Sequence, residues 1–116
     1  MLREIIFFGT YFNEFYVAQS QKVRDKIDYV LVLISTIEHI PQTYFKHIEG
    51  SDGLFEIRVQ QGSNIYRVFT CFDKGRVVVL LNGFQKKTQK TPKNEIELAE
   101  KLKKDYFNMK NTNDGK

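Results

Sequence analysis

Two arginines stand at matched positions on either side of a short turn. Arg58 and Arg67 flank Gly62-Ser63, a dipeptide suited to a type II′ hairpin because glycine adopts positive φ at the first central position. With these two residues as the loop, the register places Arg58 directly across from Arg67 on one face of the hairpin. Two positive charges in these positions repel each other, but two guanidinium groups can both donate hydrogen bonds to the oxygens of one phosphate that lies between them. The pattern therefore predicts a phosphate site.

A second basic pair follows the last strand of the same region. Lys86 and Lys87 come where the chain leaves the sheet and can bend back over its edge, next to the two arginines. A two-residue loop at Lys74-Gly75 would place Asn82 opposite Arg67, whereas a three-residue loop with a bulge shifts that pairing by one. The alternative interpretation is that each of these side chains is an ordinary solvated surface group.

Basic residues are concentrated in one third of the chain. Of the 116 residues, those from 58 to 93 include eight Lys/Arg and one acid, a local charge of +7. The rest carries ten bases and thirteen acids, so the net charge is +4. Such a basic segment is typical of a protein with a polyanionic partner, and nucleic acid is favoured over simple solvation.

Other chemistries have little support in the sequence. The chain contains no CxxC, HExxH, Walker-type loop or GxGxxG, and His39 and His47 lack metal-ligand spacing. Cys71, the single cysteine, lies in an apolar alternation typical of a buried small hydrophobe rather than a catalytic thiol. We therefore expect neither a metal nor a cofactor.

The elements that would position these residues follow from the spacing of the apolar side chains. A helical stripe of Val23, Ile27, Val30 and Ile34 indicates a long helix, while Phe55, Ile57 and Val59 alternate as in a strand. The predicted elements are a strand over 2–8, helices over 11–19 and 20–39, strands near 55–60, 65–72 and 77–84, and a helix from Pro92, with Thr91 as its N-cap, to about 108.

This order, β-α-α-β-β-β-α, predicts an α+β fold in which an N-terminal strand and a helical hairpin pack on an antiparallel three-stranded meander. We expect one domain over 1–110 and a disordered tail over 111–116. The longest aliphatic runs, 30–34 and 77–81, have five residues each. A membrane-spanning helix needs roughly 20. Since no signal-peptide pattern is present either, the sequence predicts a cytoplasmic protein without a membrane partner.

Residues 44–99 resemble the phage-derived, HigB-like branch of the RelE/ParE toxin superfamily. The similarity lies in Gly53-Leu-Phe-Glu-Ile-Arg58, Tyr66-Arg67-Val-Phe69, the apolar third strand, and Gly83-Phe84-Gln-Lys-Lys-Thr88 followed by Thr91-Pro92 and a helix. These segments cover about half of the chain in the expected order. The resemblance implies a RelE-like fold.

The resemblance also implies the toxin of a type II toxin-antitoxin pair. RelE-like and HigB-like proteins are metal-independent endoribonucleases (mRNA interferases) that cleave mRNA in the ribosomal A site, whereas ParE-like proteins inhibit gyrase without enzymatic activity. An inactive, prophage-derived nucleic-acid-binding domain is a third alternative. The implied partners are the ribosome, mRNA and a cognate antitoxin, which in HigB-like operons often carries a helix-turn-helix.

In the nuclease interpretation, the resemblance assigns Arg58 and Arg67 to the scissile phosphate. Lys87, and secondarily Lys86, would hold phosphate or assist the leaving oxygen. The further positions expected to contact RNA or phosphate are Lys46, Asn82, Lys86 and Lys90.

Two residues are candidates for proton transfer. Glu56 is either a base or merely the partner of Arg58, and Tyr106 is a possible acid or base although its place on the apolar stripe of the last helix favours packing. Tyr66 alternates with Arg67, so we expect it to point to the opposite face.

Overall fold

The structure, a computed structural model, describes residues 2–88 and 90–114 and has five strands and three helices within them. In chain order these are β1 (Glu4–Phe7), α1 (Tyr11–Val17), α2 (Gln21–Thr36), β2 (Phe45–His47), β3 (Leu54–Gln61), β4 (Asn64–Asp73), β5 (Val77–Lys86) and α3 (Lys93–Asp114). The predicted α+β class is confirmed, and the arrangement is compatible with a RelE-like fold. Across the two described ranges, no helix has the length and apolar character that crossing a membrane requires.

The five strands form one mixed sheet in the order β1-β5-β4-β3-β2. β1 runs parallel to β5, and the other neighbouring strands are antiparallel. The predicted meander is β3-β4-β5, and its first turn contains Gly62 at a φ of +62°. Arg58 pairs with Arg67 across this hairpin, as the two-residue turn predicts.

The edge strand β2 is an element that the sequence did not reveal. It has three residues, too few for an alternation to be recognised, and follows a turn in which the Tyr44 amide donates to the Pro41 carbonyl at 2.9 Å. β2 pairs with β3 so that Lys46 lies opposite Glu56. The sheet therefore brings a lysine from outside the meander to the face that carries the two arginines.

Helices α1 and α2 cover one face of the sheet. The predicted stripe of α2 (Val23, Ile27, Val30 and Ile34) is buried against alternate residues of β3 and β4, among them Ile57 and Val68. The helix begins after Ser20, whose side chain accepts a hydrogen bond from the Val23 amide at 3.4 Å. It ends at Thr36, three residues earlier than predicted, because Ile37 has an extended backbone.

Helix α3 covers the opposite face, where Ala99, Leu102 and Tyr106 pack against Phe69 and Leu81. The helix runs to Asp114, whereas the sequence predicted its end near 108 and a disordered tail from 111. For residues 111–114 that prediction is wrong, and residues 115–116 lie outside the described part of the chain. Lys110 forms an ion pair with Asp73 of β4, and this contact attaches α3 to the sheet beyond the predicted end of the helix.

The β4-β5 hairpin has a turn of three residues instead of two, and it also has a bulge. Asp73 pairs with Val77 across a three-residue turn, and Leu81 is an extra residue between the Thr70–Leu80 and Phe69–Asn82 pairs. Together the two features place Phe84 opposite Arg67. The predicted pairing of Asn82 with Arg67 is therefore wrong.

Candidate functional site

A buried ion pair lies where β2, β3 and β4 meet on the α3 side of the sheet. Arg67 Nη1 donates a hydrogen bond to Glu56 Oε2, and the exposed fractions of the two residues are only 7% and 6%. A cavity of about 360 Å³ opens above them, which we call the arginine cavity. It is lined by Gln42, Thr43, Lys46, Glu56, Arg58 and Arg67.

Strand alternation explains why these charges share one face. Ile57 and Val59 point into the core beneath α1 and α2, so the intervening Glu56 and Arg58 point to the other side. The same alternation sends Tyr66 toward α1 and α2, as predicted, and Arg67 away from them. The apolar contacts of α3 lie farther along the strands, so the end of the sheet that holds the charges stays open.

The hydrogen bond between Arg67 and Glu56 leaves polar atoms of both side chains without a partner in the described part of the chain. Within the described residues, the buried Nε of Arg67 has no hydrogen-bond partner. Glu56 Oε1 lies 3.8 Å from the Lys46 ammonium, beyond hydrogen-bond distance. Arg67 is thus oriented by its bond from Nη1 to Glu56, while the other Glu56 oxygen can accept a proton.

Arg58 is the second cation of the arginine cavity. It is half-buried directly opposite Arg67, and its backbone amide donates to the Tyr44 carbonyl at 2.8 Å. The cavity thus has three cationic side chains against one carboxylate, with a net formal charge of +2. Such a concave basic site suits a phosphate group.

Lys86 extends this positive field from the end of β5. It lies on the same face as Arg67. Burial lowers the pKa of its ammonium most, repulsion from Arg67 lowers it further, and attraction to Glu56 raises it in part. Lys87 and Lys90 are exposed beyond the strand. Lys87 lines a separate cavity of about 330 Å³ together with Lys86. Lys86 is therefore the lysine of this pair that lies in the sheet, on the face that carries the arginines.

Asn82, for which an RNA contact was expected, lies at the contact between β5 and α3. Its Nδ2 donates to the Glu95 backbone carbonyl at 3.1 Å and to Glu95 Oε1 at 3.0 Å. Asn82 is only 2% exposed because α3 covers it. The side chain attaches the first turn of α3 to β5 and is not among the described residues that line the arginine cavity.

Tyr106 lies apart from the arginine cavity. Its hydroxyl donates to Asp73 Oδ2 at 2.6 Å, and Asp73 is six residues from Arg67 along β4, or about 20 Å at ~3.3 Å per residue. Burial and this hydrogen bond raise the pKa of Tyr106 to about 12. The contact supports packing of α3 and places Tyr106 outside the cluster formed by Glu56 and the arginines.

Neither a metal-ligand cluster nor an accessible thiol is found among the described residues. In the described part of the chain, no three His, Cys, Asp or Glu side chains are grouped so that they could hold a metal ion. Cys71 is buried in the core beneath α3, and this burial raises the pKa of its thiol to about 11. A buried thiol of that kind is a poor nucleophile.

A second cavity, which we call the side cavity, adjoins the arginine cavity. Its volume is about 680 Å³, and it shares Gln42, Lys46 and Glu56 with its neighbour. The other lining residues, from β2, the following turn and the start of α3, are His47, Ile48, Glu49, Thr91 and Ile96.

Sequence reasoning missed Gln42 and Thr43, which line the arginine cavity, because an irregular loop has no periodicity that indicates where its side chains point.

Comparison with known proteins gives one family. Residues 14–104, which include the arginine cavity and most of α3, match the family described as "Phage derived protein Gp49-like (DUF891)". A search of curated proteins finds no match. Because the matched region spans well over half of the sequence, the chain belongs to the phage-derived Gp49-like family.

Proposed function

We propose that this protein is the toxin of a type II toxin-antitoxin system and acts as a metal-independent, ribosome-dependent endoribonuclease on mRNA. Membership of the phage-derived Gp49-like family fits a toxin-like role. The observation that carries the nuclease assignment is the buried Glu56–Arg67 ion pair beside Arg58 in an open, basic cavity. That arrangement combines a phosphate site with a carboxylate at the same point.

The scissile phosphate occupies the arginine cavity in this proposal. Arg58 and Arg67, which both line the cavity, donate to its non-bridging oxygens from positions set by the strands. Charge-assisted hydrogen bonds of this kind contribute about 1.5–3 kcal/mol each. Because the guanidinium groups are already oriented, they stabilise the negative charge that grows on the phosphate in the transition state.

Glu56 acts as the general base. Its Oε1 accepts the proton of the ribose 2′-hydroxyl, whose oxygen attacks the adjacent phosphorus, while Arg67 holds the carboxylate through Oε2. The P–O5′ bond breaks, which gives a 2′,3′-cyclic phosphate and a free 5′ end. Lys86 gives a proton to the departing 5′ oxygen, a role helped by the lowered pKa of its ammonium.

The proposed partners follow from this activity. The ribosome presents mRNA to the cavity, and the positive segment around it is attracted to RNA. A cognate antitoxin neutralises the protein until the toxin is released.

The test is induced expression in bacteria of the wild type, Arg58→Ala and a control, Arg76→Ala. Arg76 is an exposed arginine of the β4-β5 turn, at the opposite end of the sheet. Growth is scored together with mRNA cuts mapped by primer extension. We expect arrest and translation-dependent cuts for the wild type and Arg76→Ala, both lost in Arg58→Ala.

Two results would contradict the proposal. Growth arrest with intact mRNA would favour the gyrase inhibitor, and no arrest at adequate soluble expression would favour an inactive nucleic-acid-binding domain.

A further inference from the structure

The side cavity differs from the arginine cavity in its charge. Among the described residues that line it, Lys46 is the one lysine or arginine, and Glu49 and Glu56 carry carboxylates, so the formal charge of this lining is −1. The arginine cavity, by contrast, has a formal charge of +2. A phosphate is attracted to the arginine cavity and repelled from the side cavity, whereas an uncharged group is not repelled from either.

The two cavities are close enough to bind one nucleotide between them. They share the side chains of Gln42, Lys46 and Glu56, and the side cavity has nearly twice the volume of its neighbour. A strand whose phosphate lies between Arg58 and Arg67 therefore has a larger, less basic space beside that phosphate.

The lining of the side cavity suits a nucleobase. Ile48 and Ile96 are half-buried and offer aliphatic surface to the flat ring, while Gln42 and Thr91 carry side chains that both donate and accept hydrogen bonds. The carboxylate of Glu49 only accepts hydrogen bonds when ionised. It therefore favours a base with an exocyclic amino group over one that presents a carbonyl at that position.

We propose that the side cavity is a base-recognition subsite for the nucleotide next to the phosphate in the arginine cavity, with Glu49 as the residue that selects amino-bearing bases. This inference rests on the proposed function, since it takes RNA as the ligand. The clearest comparison is cytosine with uracil, which are of the same size and differ in an amino group against a carbonyl.

The test is NMR titration of the full-length, isotopically labelled protein with CMP, UMP and inorganic phosphate. Phosphate should shift the amide signals of Arg58 and Arg67 alone, while CMP should also shift those of Thr91 and Ile96. We expect CMP to bind about 10-fold more tightly than UMP, the low end of the effect of one hydrogen bond to a charged group, because Glu49 is exposed.

Glu49→Gln should reduce this ratio to less than about 2-fold, because the amide can also donate to the uracil carbonyl. The matched control is Glu38→Gln, which changes an exposed carboxylate two residues beyond the end of α2 and should leave the ratio unchanged.

The outcomes separate the subsite from the proposed function. Two results would overturn the subsite alone, provided that phosphate binds at the arginines. One is equal affinities for CMP and UMP, and the other is a CMP-to-UMP affinity ratio that is unchanged in Glu49→Gln. Absence of binding by phosphate and by both nucleotides would overturn the subsite and the nuclease assignment together.

Discussion

Arg67 and Glu56 occupy diagonal positions on the neighbouring strands β4 and β3 and form an ion pair that is almost fully buried. The Lys46 ammonium lies 3.8 Å from the second carboxylate oxygen, so it compensates the Glu56 charge only in part. A buried charge that loses its partner is costly, whereas an exposed one is solvated by water. The pair therefore links the stability of the sheet to the chemistry of the arginine cavity.

Arg67→Ala should destabilise the protein much more than Arg58→Ala. Removal of Arg67 leaves the buried Glu56 carboxylate without its hydrogen-bonded partner, and we expect a loss of about 3 kcal/mol in the free energy of unfolding. Arg58 is only half-buried, so Arg58→Ala should cost less than about 1 kcal/mol. Urea unfolding followed by circular dichroism measures both values.

The control for this comparison removes both charges. Glu56→Leu/Arg67→Met has no buried charge left to compensate and should be more stable than Arg67→Ala. Equal stability of Arg67→Ala and Arg58→Ala would show that the ion pair does not matter for folding. Both single variants should lose cleavage activity, and for this reason Arg58→Ala is the cleaner test of function.

The register of the Arg58–Arg67 pair could be predicted because it depends on one local feature. Gly62-Ser63 fixes a two-residue turn, and each later pair follows by counting from it. The apolar stripe of α2 was equally predictable, since burial repeats with the helical period.

Features that depend on tertiary contacts could not be predicted in the same way. The three-residue turn and the Leu81 bulge change the register of β5 without a signature in the sequence, and together they move Asn82 away from the position opposite Arg67. The expected ion-pair partner of Glu56 was Arg58. The observed partner is Arg67, because diagonal neighbours on adjacent strands are also within reach of each other.

Gly83→Ala should destabilise the protein through a clash with α1. A Cβ at Gly83 would lie 2.5 Å from Cδ2 of the Phe15 ring, so either the ring or the strand must move. We expect a loss of about 1–3 kcal/mol in the free energy of unfolding, typical of an overpacked core. In a Phe15→Ala background the same substitution should cost much less, and equal costs in the two backgrounds would exclude the clash as the cause.

Asp73 should make stability depend on pH in the acid range. Hydrogen bonds from Lys110 and Tyr106 hold the pKa of Asp73 below its usual value of 3.8, against the effect of burial. The ionised form therefore stabilises the fold above about pH 4, and this stability is lost as the pH falls toward the lowered pKa. Urea unfolding between pH 7 and pH 2.5 should give a smaller acid loss for Asp73→Asn than for the wild type.

Tyr106→Phe serves as the companion variant. It removes one hydrogen bond to Asp73 and should lower the free energy of unfolding at pH 7 by about 1–3 kcal/mol. Cleavage activity should remain, because Tyr106 lies far from the arginine cavity along β4. A large loss of activity in a folded Tyr106→Phe protein would contradict this placement.

Lys86→Met should reduce cleavage much more than Lys87→Met, the reverse of the order that the resemblance implied. Lys86 lies on the same face as Arg67 and has an ammonium whose pKa is lowered by burial, whereas Lys87 is exposed beyond β5. A general acid contributes about 10²–10⁴-fold to the rate, so a loss in this range is expected for Lys86→Met and less than about 10-fold for Lys87→Met.

Cleavage rates in a cell-free translation reaction at saturating toxin measure both, with circular dichroism as the check on folding. NMR titration of the Lys86 side chain should also give a midpoint below the ordinary lysine value of 10.5. A larger loss for Lys87→Met, or a Lys86 midpoint that is not lowered, would transfer the acid role to another group.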